Sequence, residues 1–163
     1  MRIKSASQKG AAMVEFALIL IPLLLITFGI IEFGMLMYNQ QVLTNASREG
    51  ARAGIVASDP RLTPGPEIPL TIEKCNALKL GPTDPPVSIS CAVGEYCSNH
   101  LVTFTDTPTS PHVFVNGYVS NASFGSNLTV QVNYEYSFLV LPNFILNFDN
   151  KKNMKAETVM KYE

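Results

Sequence analysis

KGAAMVEFALILIPLLLITFGIIEFGMLMY, from Lys9 to Tyr38, is the stretch on which the rest of the chain depends. From Phe16 to Ile31 the only polar side chain is Thr27, whose hydroxyl can bond back to a carbonyl of the preceding turn. Gly34 to Tyr38 carry the run past the roughly 20 residues that a helix needs to cross a bilayer. Glu15 and Glu32 interrupt it, and an ionisable group within a membrane helix is a functional-site hypothesis by default. Pro22 removes one backbone donor and should bend the helix. Glu32, close to the far end, is expected to snorkel at the interface.

Before this run, Arg2, Lys4 and Lys9 form a basic leader with no acidic residue among them. A secretory signal also has a basic start and an apolar core. Here the core is too long and no small-x-small cleavage site closes it, so the run is expected to stay as an anchor. Positive charge held inside sends the C-terminal part outward. After the anchor there is no proline until Pro60, so the pattern predicts one helix from 11 to 57, embedded over about 16–38 and near 70 Å long at about 1.5 Å per residue. Ala46, Gly50 and Gly54 form a small-xxx-small ladder that admits a close neighbour, either this chain's own sheet or another subunit's helix.

Beyond the helix the composition turns to Pro, Asn, Ser and Thr. Residues 58–69 read as a linker, and 70–163 as an α+β domain built on a small antiparallel sheet. Leu70 to Leu80 is amphipathic and is expected to supply the one short helix, stopped by Gly81-Pro82. Val87, Ile89, Cys91 and Val93 alternate with small residues, which predicts a strand, with Leu101 to Thr105 pairing back as a hairpin. Val113 to Val119 reads as a weaker strand broken at Asn116-Gly117. The clearest period of two is Leu128, Val130, Val132, Tyr134, Tyr136 and Phe138, one face apolar and the other wet. Met154 to Tyr162 repeats it as a last strand. Leu139 to Phe148 is unusually apolar for a connection and reads as cover for the core or, if exposed, as a contact surface.

The chain has 163 residues, a net charge of −1 and three cysteines. No basic footprint argues for nucleic acid. Cys91 and Cys97 flank Gly94 and are a candidate loop-closing disulfide in an oxidising compartment, with buried free thiols as the alternative. No cysteine or histidine spacing suits a metal. No Walker, GxGxxG, GxSxG or HExxH motif occurs, so neither a cofactor nor an enzymatic activity is expected.

Gly10 followed by Ala11-Ala12-Met13-Val14-Glu15 resembles the processing site of type IV pilin-like proteins. The longer run GAAMVEFALILIPLLL…IIEFG…YNQQVLTNASREGARAG resembles the TadE/TadG family of minor pilins, or pseudopilins, of tight-adherence pili. The resemblance is dense over Gly10 to Gly54 and only thematic afterwards. It implies cleavage between Gly10 and Ala11 by a prepilin peptidase, with Glu15 as the fifth mature residue setting subunit register. It further implies other pilin subunits, major and minor, an inner-membrane assembly platform and membrane lipid as partners. The implied place is a bacterial inner membrane, crossed once, with a cytoplasmic N-terminus and periplasmic domain, or an extracellular pilus. The alternative is an unprocessed single-pass protein whose outward domain binds a ligand or envelope component.

Overall fold

The computed structural model describes residues 7–56, 88–102, 110–119, 123–138 and 151–162. The leader up to Ala6, the linker at 58–69, the expected helix Leu70–Leu80, the third cysteine Cys75 and the apolar stretch Leu139–Phe148 lie outside them.

A single helix, α1 (Ser7–Val56), spans 50 residues with Pro22 as its one internal proline. Thr27 donates its hydroxyl to the Leu23 carbonyl at 2.8 Å, which hides a polar group against the helix's own backbone. Two different surfaces follow along α1. Up to Ile31 its large apolar side chains are exposed all round, from Met13, Val14 and Phe16 to Ile30 and Ile31. From Glu32 onward a buried stripe appears at spacings of three and four: Glu32, Asn39, Val42, Leu43, Ala46, Ser47, Gly50, Ala51 and Gly54.

That stripe is covered by a three-stranded antiparallel sheet in the order β1 (His112–Asn116), β2 (Asn127–Ser137), β3 (Lys151–Lys161). β2 and β3 pair along their full lengths, from Asn127 opposite Lys161 to Ser137 opposite Lys151. β1 covers only the first part of β2, His112 opposite Asn133 through Asn116 opposite Thr129. Leu128, Val130, Val132, Tyr134 and Tyr136 point inward as the alternation requires, meeting Leu43, Ala46 and Ala51 of α1 and Met154 and Ala156 of β3 in one core. β1 ends at Gly117, with φ +82°, where a Cβ would strike the Asn127 carbonyl oxygen. Only glycine fits there. The architecture is the expected α+β arrangement of a long N-terminal helix, a small antiparallel sheet and one short helix.

The short helix is elsewhere in the chain. Val87 to Val93 was expected as a strand, yet Ile89–His100 is a helix, α2. Ser88 caps it from an extended conformation, its hydroxyl accepting from the Cys91 amide at 3.1 Å. Ile89 to Gly94 and Cys97 are all buried, so the alternating pattern carried no wet face that would distinguish strand from helix. The hairpin with Leu101 falls with it: Leu101 closes α2, its amide donating to the Cys97 carbonyl at 2.8 Å. Thr103 to Thr105 lie outside the described residues.

Candidate assembly site

Two regions of α1 carry the residues singled out from the sequence. The first is its unburied N-terminal part. Gly10, Ala11 and Glu15 are all exposed on a continuous helix, with no other side chain within 4 Å of where a Gly10 Cβ would stand. Among the described residues no hydrogen bond or ion pair reaches the Glu15 carboxylate. The helix is long and apolar enough to cross a membrane, and none of its most apolar part is buried within the chain. Residues 11–31 measure roughly 31 Å at about 1.5 Å per residue, close to the roughly 30 Å hydrocarbon thickness of a bilayer.

The second region is the joint between α1 and the domain, where the small-residue ladder lies. Ala46 is fully buried. A Cβ on Gly50 would collide with Val93 Cγ2, and one on Gly54 would stand 2.5 Å from Leu128 Cδ2 and 2.7 Å from Ile89 Cδ1. The ladder therefore packs against this chain's own α2 and β2. Those missing side chains let the sheet and α2 approach the helix backbone.

Polar bonds stitch the same joint, and sequence reading missed all of them. Glu32 is 1% exposed rather than snorkelling, and its Oε1 accepts from the Tyr136 hydroxyl at 2.7 Å. Burial, and secondarily the bond to Glu32, raises the Tyr136 phenol above its ordinary range. Asn39, fully buried, donates Nδ2–H to the Val102 carbonyl at 2.9 Å and accepts the Val102 amide on Oδ1 at 3.1 Å, satisfying both backbone groups just beyond α2. Gln40 donates to the Lys155 carbonyl at 2.9 Å, and Ser47 shares a 2.7 Å hydrogen bond with Thr158. A signal was present in the sequence: Glu32 and Asn39 continue the Leu43–Ala46–Gly50 stripe downward at helical spacing.

The candidate Cys91–Cys97 bridge is not formed. Cys91 is disulfide-bonded, whereas Cys97 is a free, buried thiol whose pKa desolvation pushes up to about 12. Both cysteines lie on α2, where six residues of rise separate their Cα atoms by roughly 9 Å, beyond the about 7 Å limit of a disulfide. His100 is the last residue of α2, stacked on Tyr96 at 4.4 Å. Among the described residues no group of histidine, cysteine and acidic side chains could hold a metal ion.

An exposed apolar helix continuous with a small α+β domain folded onto its own upper half fits a single-pass membrane protein. Residues 10–52 match the family model described as TadE-like protein, so the N-terminal region of the chain is TadE-like. No curated protein and no solved structure matches the chain.

Proposed function

We propose that this protein is a minor pilin or pseudopilin of a tight-adherence-type pilus, working by packing rather than catalysis. A prepilin peptidase cuts after Gly10, and the new Ala11 amine and Glu15 form a pair within or between subunits. The observation that carries the reading is Glu15 itself. It is a carboxylate, unpaired among the described residues, on the exposed apolar part of α1 where the TadE-like match begins.

A charge at that depth is costly until it meets an opposite one. A neighbouring subunit's terminal amine, at the positive end of its helix dipole, supplies such a partner and fixes the stagger between helices. The domain, locked to α1 by the Glu32 and Asn39 bonds, then travels with its helix as one body and presents the sheet on the filament or on the assembly platform. The leader's charge supports a cytoplasmic N-terminus and a periplasmic domain.

N-terminal sequencing of the mature protein tests the cleavage. A chain starting at Ala11 supports it, and an intact Met1 terminus favours an unprocessed single-pass protein with an outward ligand-binding domain. Glu15→Ala is expected to leave membrane insertion intact and to abolish incorporation into filaments, scored by recovery in sheared pili. Normal piliation in that variant would refute the register role.

A further inference from the structure

The bond between Tyr136 and Glu32 pins one end of the sheet to the point on α1 where the buried stripe begins. Glu32 and Asn39 are buried in the domain, which argues for a span lower than the 16–38 expected from the sequence; residues 11–31 fill roughly the hydrocarbon thickness and would set Glu32 at the bilayer surface. The strand register then sets the height of β3. Lys152 stands opposite Tyr136, and Lys151 opposite Ser137, one strand spacing of about 4.8 Å away. Both lysines are exposed, and Lys152 lies on the same side of the sheet as Tyr136, the side that faces α1. Around Glu32 the helix presents Ile30 at 69%, Ile31 at 49% and Phe33 at 62% exposure.

We propose that Lys151 and Lys152 form a contact site for the phosphates of anionic phospholipids, seating the lower edge of the domain on the membrane. Among the described residues, the other charged groups at this end permit it. Glu32 is buried against Tyr136. Glu135 pairs with Lys151 at 2.6 Å, and that lysine's side chain remains 59% exposed. Lys155, next along the outer face, pairs with Glu157 at 2.9 Å. Lys152 makes no ion pair among the described residues. An ammonium on a flexible stem suits this boundary, because its methylenes lie along the apolar helix surface while the charge reaches the headgroup layer.

The chain contains no tryptophan, so Asn153→Trp introduces a single fluorescent reporter between the lysine pair and Met154. The full-length chain carrying it is placed in nanodiscs of phosphatidylcholine, or of phosphatidylcholine enriched in phosphatidylglycerol, with lipids brominated near the headgroup. Quenching is expected in both. It should be clearly stronger in the anionic discs, and that increment should vanish near 1 M salt, where the screening length is about 3 Å. Lys151→Gln with Lys152→Gln should also abolish the increment, about a fivefold loss of surface affinity for each charge removed. Lys161→Gln, at the opposite end of β3, should leave it intact, and matching melting curves establish that the variants fold. Quenching that ignores lipid charge, an increment that survives in the double variant, or no quenching in any disc overturns the proposal. The last result would point instead to an acidic protein partner. The outcome depends on the anchor and the register alone, so it can fail or succeed independently of the pilin reading.

Discussion

Tyr136 and Glu32 show how much one buried hydrogen bond is asked to do here. The hydroxyl sits at the end of a strand, the carboxylate at the end of an apolar span, and 2.7 Å between them joins the two parts of the molecule. Removing the donor strands part of a buried carboxylate's hydrogen-bonding capacity, which costs about 1.5–3 kcal/mol when the group is charged. Tyr136→Phe, which deletes only the hydroxyl, is therefore expected to lower unfolding stability by about 2 kcal/mol in thermal melts of the detergent-solubilised chain. Glu32→Gln keeps an acceptor and should cost less. A wild-type melt for the phenylalanine variant would show that the bond is incidental. Cys97 makes a second, titratable contribution. Its thiol titrates near 9.0 when unfolded, and burial pushes it up to about 12 in place. The unfolded state therefore loses its proton first as pH rises. The sign follows: stability is constant below about 9 and declines from there towards 12, by about 1.4 kcal/mol per pH unit. Tyr134 and Tyr136, also raised by burial, steepen the loss above pH 10. Cys97→Ala should flatten the decline between pH 9 and 10 in urea melts; an unchanged slope would remove the thiol from the account.

At the scale of elements, legibility tracked whether a segment has two chemically different faces. β2 could be read to within a residue because Leu128 through Tyr136 alternate with Thr129, Gln131, Asn133 and Glu135, and the structure wets one set while burying the other. β3 was legible for the same reason, though its start at Lys151 was not, since Lys151 to Asn153 are exposed on both faces. α2 was misread because its first turns are buried on every side. Serine, alanine, cysteine and glycine between apolar residues fit a fully buried helix as well as a strand. The usable cue was Ser88, a good N-cap residue standing just before the run. α1 was read as one long helix, though it begins at Ser7 and not at Ala11, yet its joint was not read. Glu32 was judged by its distance from the membrane's end, and only the stripe through Asn39, Leu43 and Ala46 would have placed it against the sheet. Pairing across more than a hundred residues of chain, as between Glu32 and Tyr136, leaves no local trace.

Across the whole molecule, α1 belongs to two environments that meet at Glu32, and this division has a testable consequence. Below it, no described side chain from the sheet or from α2 covers the helix, and the exposed residues are those that lipid or neighbouring helices must solvate. Above it, Val42, Leu43, Ala46 and Ala51 are part of the domain's core, and Asn39, Gln40 and Ser47 are bonded to it. The upper half of the helix is thus a structural element of the domain and not a tether leading to it. A chain shortened to residues 32–163 is expected to fold and remain soluble, with near-UV circular dichroism and a melting temperature close to those of the full chain. Shortening further, to begin at 48, removes Val42, Leu43 and Ala46 together with the Asn39 clamp. Losing a buried leucine alone costs about 2–5 kcal/mol, against a total stability of about 5–15 kcal/mol for an ordinary domain. The shorter piece should therefore lose its near-UV signal and aggregate. If the 48–163 piece melted like the 32–163 piece, the sheet and α2 would be self-sufficient, and the helix would carry the domain rather than complete it.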